Sequence, residues 1–290
     1  MNMNVRGFID RWQVRGAILG TLLLAALPSV AWSQASTSMV EVNGGKLDVL
    51  VEGSGPTVLM IPSYGRGRQD FDQLAGRLVA SGYRVIRPEP RGVNGSTNSK
   101  PDFGLPDMAD DVAAVLRWAG GEPSVVLGHA YGQRVARSVA TRHPELVRSL
   151  IMVAAGGKFA AKDEIRNAVR ECFNQSLSDA DHMAMVKLAF FAPGNDPSPW
   201  RGGWYPAAAK LQASGMAPGS AKDWWAAGGK IPILLLQGKQ DVAALPENAR
   251  AFKAEFPDRV TLIEIDHMGH AAFPEQPDAI AKHIEAFLGL

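Results

Sequence analysis

Residues Val125-Val126-Leu127 form an apolar run that ends in Gly128-His129-Ala130-Tyr131-Gly132 and then enters a helix-like segment, Gln133 to Arg142. A strand that turns this sharply into a helix lifts the side chain at the turn into a pocket. Gly128 and Gly132 are the small residues that let strand and helix approach closely. The side chain that suits the lifted position is a serine, whose oxygen attacks an acyl carbon after a histidine takes its proton. Here the position holds Ala130. A methyl group cannot attack. Deleting such a nucleophile costs on the order of 10⁶ in turnover and leaves roughly 10³–10⁴ over water. Acyl-enzyme chemistry at Ala130 is therefore excluded.

Other reactive side chains have plainer readings beside the chemical one. Ser63, in Pro62-Ser63-Tyr64-Gly65-Arg66, is either a substitute nucleophile or oxyanion donor, or it satisfies nearby backbone groups. His129 either has an accessory chemical role beside the elbow or packs under the turn, and His143 is expected to lie at the surface of a helix end. Cys172 is the only cysteine, so no internal disulfide can form. It sits at helical spacing with Ile165, Val169 and Phe173, which reads as a buried small hydrophobe. Trp200, Trp204, Trp224 and Trp225 either line a pocket for an apolar substrate or hold one part of the chain onto another. No clustered Cys/His set suggests a metal, and no Gly-rich loop suggests a phosphate-bearing cofactor, so none is expected.

These residues need a frame to hold them. Met39–Val42 and Leu47–Val51 alternate around Gly44-Gly45, a hairpin signal. Strands are expected at Thr57–Ile61, Tyr83–Ile86, Pro123–Leu127, Ser149–Val153, Ile231–Leu236 and Val260–Ile265. Helical spacing joins Phe71, Leu74, Ala75, Leu78 and Val79, and recurs over Met108–Ala119. A last helix is expected roughly from Asp278 to Phe287. Alternation of strand and helix predicts an α/β fold with a mostly parallel, doubly wound sheet and an antiparallel hairpin at one edge. Residues from about Gly157 to Gly229 break the alternation. They hold helical patterns at Asp163–Phe173 and Asp179–Phe191, the second opened by a Ser178-x-x-Asp181 cap. A Pro/Gly-rich aromatic stretch follows. This segment is expected to be an inserted helical cap.

Residues 1–35 differ from the rest. Arg6, Arg11 and Arg15 precede the apolar run Gly16–Leu27, and Ser29-Val30-Ala31 and Ser33-Gln34-Ala35 offer cleavage sites. These are the three parts of a secretory signal peptide, with cleavage near Ala31 or Ala35. The alternative is an uncleaved anchor, but the run is shorter than the ~20 residues a span needs. The expected location is periplasmic or secreted, with no stable membrane span after cleavage. Removal leaves 27 basic and 28 acidic side chains, a net charge of −1. With no basic stripe, nucleic acid is not an expected partner.

With these motifs in place, the chain resembles the α/β-hydrolase superfamily over roughly residues 40–290, with alanine at the nucleophile-elbow position. The resemblance implies the α/β-hydrolase fold. It also implies that Asp241, in Gly238-Lys239-Gln240-Asp241, occupies the triad-carboxylate position, and that His270, in Gly269-His270 before Glu275-Gln276-Pro277, occupies the histidine position. His270 is preferred to His267 on that context. The order of nucleophile, acid and histidine matches the family's order. The backbone N–H groups of Tyr64 and Tyr131 are the implied oxyanion donors, although Pro62-Ser63 replaces the family's usual His-Gly. Glu89-Pro90-Arg91-Gly92-Val93-Asn94-Gly95-Ser96 is similar to a supporting loop near the family's site.

Three readings of function remain open. The first is an exported enzyme for a small ester- or lactone-like substrate, with an Asp241–His270 dyad as general base. Lyase, isomerase or cofactor-free oxygenase chemistry on the same dyad belongs with it. The second is a non-catalytic ligand-binding protein. The third is a serine hydrolase whose serine has been replaced. The sequence does not specify the substrate or the oligomeric state.

Overall fold

The computed structural model describes residues 35–216, 224–226 and 228–290. The expected signal segment therefore lies outside the described residues, apart from Ala35. The chain opens with β1 (Ser36–Val42) and β2 (Gly45–Glu52), an antiparallel pair in which Val42 faces Gly45. Gly44 takes φ +74° in the turn between them, a conformation glycine adopts without a Cβ penalty. Next come β3 (Thr57–Ile61), α1 (Asp72–Ala80), β4 (Arg84–Pro88) and the short β5 (Thr97–Asn98). They are followed by α2 (Leu105–Trp118), β6 (Ser124–His129), α3 (Tyr131–Arg142) and β7 (Val147–Val153). An insertion after β7 contains α4 (Asp163–Glu171), α5 (Asp179–Phe190) and α6 (Pro206–Gln212). The alternation then resumes with β8 (Ile233–Gly238), α7 (Pro246–Glu255), β9 (Val260–Ile265) and α8 (Pro277–Leu288).

The strands form one sheet in the order β1-β2-β4-β3-β6-β7-β8-β9, with β5 paired to β2. Pairing from β4 through β9 is parallel. Every residue of β3, β6 and β8 is buried, as expected when helices cover both faces of a parallel sheet. The period of two along each strand divides the core. Val126, Leu59, Leu150 and Leu235 face Val112, Val139 and Phe252 of α2, α3 and α7. Val125, Leu127, Ile151 and Leu234 face Leu74, Leu78, Ile280 and Ile284 of α1 and α8.

Helix ends follow local chemistry. The Ser178 cap of α5 is present: its hydroxyl accepts the Asp181 N–H at 3.1 Å. α4 ends before Phe173, because its last turn tightens: Phe173 N–H donates to Arg170 and Asn174 N–H to Glu171. α2 begins three residues before the periodic signal at Met108. Pro106 lies in its first turn and the Asp107 carboxylate accepts the Gly104 N–H at 2.9 Å. α6 carries no clear apolar period, and the sequence pattern does not predict it. Among the described residues no helix is long and apolar enough to cross a membrane.

Candidate active site

The chain leaves β3 in one direction to reach β4 and leaves β6 in the other to reach β7. Such a switch opens a crevice at the carboxyl ends of the strands. Ile61 of β3 is in register with Gly128 of β6, and His129 with Val153 of β7. The loops that follow these strands therefore emerge side by side.

Ala130 occupies the turn itself, with φ +49° and ψ −108°. A non-glycine residue in this region costs on the order of 1–3 kcal/mol and persists only where its surroundings enforce it. The enforcement is visible. Ala130 N–H donates to Val153 O at 2.8 Å. A Cβ on Gly132 would lie 2.2 Å from Ile61 O, and one on Gly128 would lie 2.5 Å from Gln133 Cα. Strand and helix are thus too close for any side chain at either glycine.

His270 follows β9 and Asp241 follows β8. His270 Nδ1 lies 3.0 and 3.1 Å from the two carboxylate oxygens of Asp241. Asp241 is buried, and its charge is met on every side. Oδ1 accepts the N–H groups of Ala243 and Ala244 at 2.9 and 2.7 Å, and Oδ2 accepts Gln237 Nε2 at 3.2 Å. The histidine loop is stapled at two points. His270 and Ala271 N–H both donate to Phe190 O, at the end of α5. Glu275 accepts from Gly269 and Ala272 N–H through one oxygen and from Ala192 N–H through the other. Such a histidine, held by a carboxylate on one nitrogen, can take a proton on the other. His270 Nε2 makes no hydrogen bond among the described residues, and His270 lines the cavity described below.

The other candidates separate clearly. His129 is fully buried, with Nε2 2.8 Å from His270 O. Burial pushes its imidazole down to about 3, so it stays neutral and donates from Nε2 to that carbonyl. It braces the histidine loop. His267 is exposed at φ +54°, its ring unbonded among the described residues. His143 is half-buried rather than free at the surface, its Nε2 2.7 Å from Asp110. Cys172 is buried in the insertion, its thiol pushed up to about 12 by desolvation. Ser63 is buried against the cavity, with no side-chain hydrogen bond among the described residues.

A cavity of about 550 Å³ lies over Ala130 and is bounded by Ser63, Tyr64, Tyr131 and His270. Phe159, Phe190, Trp200, Trp204 and Trp224, all from the insertion, supply its aromatic wall. Trp225 is not part of that wall. It packs edge-on against Phe252 and donates Nε1 to Glu255 at 2.8 Å. Trp224 lines the cavity, whereas Trp225 packs against α7. Trp200 and Trp204 do both jobs, since the Arg66 guanidinium lies 4.2 and 4.5 Å from their ring centres. Arg66 is held by Asp70 at 2.6 and 2.9 Å.

The backbone N–H groups of Tyr64 and Tyr131 have no hydrogen-bond partner among the described residues. The next N–H, at Gly65, donates to Gln212 Oε1 at 2.7 Å. Gln212 of α6 and Gln237 of β8 both support the site, and neither stands out in the sequence. Gln237 follows a run of apolar strand residues, Ile233–Leu236, and a polar residue at such a buried place was the available signal. In the Glu89–Ser96 loop, Arg91 is buried, pairs with Asp111 through two bonds of 2.7 and 2.6 Å, and also donates to Asn43, Gly44 and Asn98. It ties that loop to the hairpin.

A sequence profile of the family described as alpha/beta hydrolase fold matches residues 56–277. The chain belongs to the α/β-hydrolase fold family. A protein of Haemophilus influenzae, provisionally named esterase/lipase, is 26% identical over 239 residues, which cover 76% of this chain and 79% of that protein. The pimeloyl-[acyl-carrier protein] methyl ester esterase of Aeromonas hydrophila is 34% identical over 130 residues, covering 43% of this chain and 49% of its own length. Among solved structures, a thermophilic esterase from Thermogutta terrifontis superimposes with a TM-score of 0.72 at 21% identity, covering 88% of this chain and 98% of that one. That last likeness speaks to the fold.

Proposed function

We propose that this α/β-hydrolase-fold protein is an exported hydrolase of small ester- or lactone-like substrates that works without a covalent intermediate. The observation that carries this reading is the His270–Asp241 pair at 3.0 Å, opening onto a cavity beside a residue that cannot attack. The ester chemistry is supported by the names of the relatives from Haemophilus and Aeromonas.

In this reading a water occupies the space above the Ala130 methyl. His270 Nε2 takes one of its protons as the water oxygen bonds to the substrate carbonyl carbon. Asp241 stabilises the imidazolium that results. The carbonyl oxygen becomes negative and accepts the N–H groups of Tyr64 and Tyr131. When the tetrahedral adduct collapses, the ester C–O bond breaks and the leaving alkoxide takes the proton back from His270. The products are one acid and one alcohol, and the protein is unchanged. A lactone gives one hydroxy acid.

The test is a panel of aryl esters and lactones given to the mature protein and to two variants. His270→Ala should lower turnover by roughly 10²–10⁴-fold, the range of a general base. Ala130→Ser should add covalent labelling by a fluorophosphonate, which the parent protein resists. Full turnover in His270→Ala sinks the proposal. Tight binding of a panel member with no product in any variant would replace it with the ligand-binding reading.

A further inference from the structure

The charge around the cavity is one-sided. Five cationic side chains line it, Arg66, Arg134, Lys158, Arg166 and Arg170, and no aspartate or glutamate does among the described residues. Four of the five are already engaged by side chains. Arg66 is paired with Asp70, Lys158 with Glu255, and Arg166 with Asp163, while Arg170 donates to Asn167.

Arg134 differs. It lies on the first turn of α3, four residues past Ala130, where helical side chains lean back toward the helix start. Its side chain lines the same cavity as Ala130. The guanidinium stands 4.8 Å from the Trp224 ring centre and 5.7 Å from that of Tyr131. Nη1 donates to Gly215 O at 2.7 Å, which fixes the plane of the fork. Among the described residues, Nη2 and Nε have no acceptor and no carboxylate pairs with the group. The group is half-buried, and desolvation holds it below the usual arginine range. A half-buried guanidinium with no counter-charge among the described residues is costly, and a planar anion that meets two of its N–H groups offsets that cost.

We infer that the cavity binds organic carboxylates with an apolar body, and that Arg134 is the residue that pairs with the carboxylate. The aromatic wall takes the body of the molecule, and the cationic rim draws the anion in. The substrate class is then a monoester or lactone that carries a free carboxylate, rather than a neutral ester. The inference rests on this cavity being the one in which His270 acts, and its test is separable from that reading.

Calorimetric titration with phenylbutyrate against phenylbutyramide measures the charge preference directly. The two probes share a body and differ in the charge of one group. The full-length folded protein should bind the acid more tightly by about tenfold or more, the scale of one charge-assisted pair. Arg134→Met should bring the two affinities together, and Arg134→Lys should keep part of the difference. Equal affinities in the parent protein, no measurable binding of the acid, or a preference that survives Arg134→Met would overturn the inference. Neutral and carboxylate-bearing esters turned over equally well would overturn it while leaving the hydrolase reading intact. A carboxylate preference without turnover of any ester would do the reverse.

Discussion

At the scale of single residues, the site depends on side chains whose charge state the fold has already chosen. His129 is the clearest. A free imidazole gains its proton near pH 6.5, whereas burial and the neighbouring His270 hold His129 neutral to about 3. Between those values the unfolded chain binds a proton that the folded chain refuses. The stability that the neutral ring contributes is therefore complete above about pH 6.5 and falls as the pH drops, by about 1.4 kcal/mol per pH unit, until about pH 3. His129→Gln keeps a nitrogen donor for the His270 carbonyl and has no proton to gain. Denaturant unfolding at a series of pH values should give a flatter acid limb for this variant than for the parent. Parallel limbs would mean that another group governs acid unfolding. The same residue scale explains Asp241: three N–H donors and one imidazole surround it, so its burial is matched by partners.

At the scale of elements, the elbow is a contact between β3, β6 and α3, and glycine sets its closeness. Gly132 has no room for a methyl, since Ile61 O and Pro62 O would lie 2.2 and 2.6 Å from it and both belong to the backbone. Gly132→Ala should cost about 3 kcal/mol or more, because neither partner can rotate away. Gly76, inside α1, has nothing within 4 Å of an added Cβ. Gly76→Ala should instead gain about 0.5–1 kcal/mol from helix propensity. Chemical denaturation of the two variants checks both signs, and a neutral Gly132→Ala would refute the crowding argument. The insertion is tied to this element set by specific bridges. Gln212 holds the Tyr64 loop, Phe190 O holds the His270 loop, and Arg66 sits against Trp200 and Trp204. Its helices thus fix the loops as well as roof the cavity.

At the scale of the whole molecule, the sheet begins at Ser36, immediately after the second expected cleavage site. Cutting after Ala31 or Ala35 leaves every strand among the described residues intact. Protein recovered from outside the cytoplasm should therefore begin at Trp32 or Ser36 when its terminus is read by mass spectrometry. An intact Met1 there would contradict cleavage. The strands along the chain other than the short β5, and the positions of Ala130, Asp241 and His270 after strands, were legible in the sequence. Parallel strands buried on both faces write themselves as apolar runs, and the loops after them carry short local motifs. Thr57–Ile61 and Val260–Ile265 were placed to the residue for that reason. Helix α6 and the supports Gln212 and Gln237 were not legible, because their partners lie far away along the chain or depend on a loop's path. The sequence by itself determined the fold class and put alanine at position 130, since both follow from residue type and local period. Only the tertiary structure decided what surrounds Ala130. It joined His270 to Asp241 across 29 positions, and it assembled an aromatic cavity whose one cation without a side-chain hydrogen-bond or ion-pair partner among the described residues is Arg134. Distances between elements belong to packing, and no local pattern of residues encodes them.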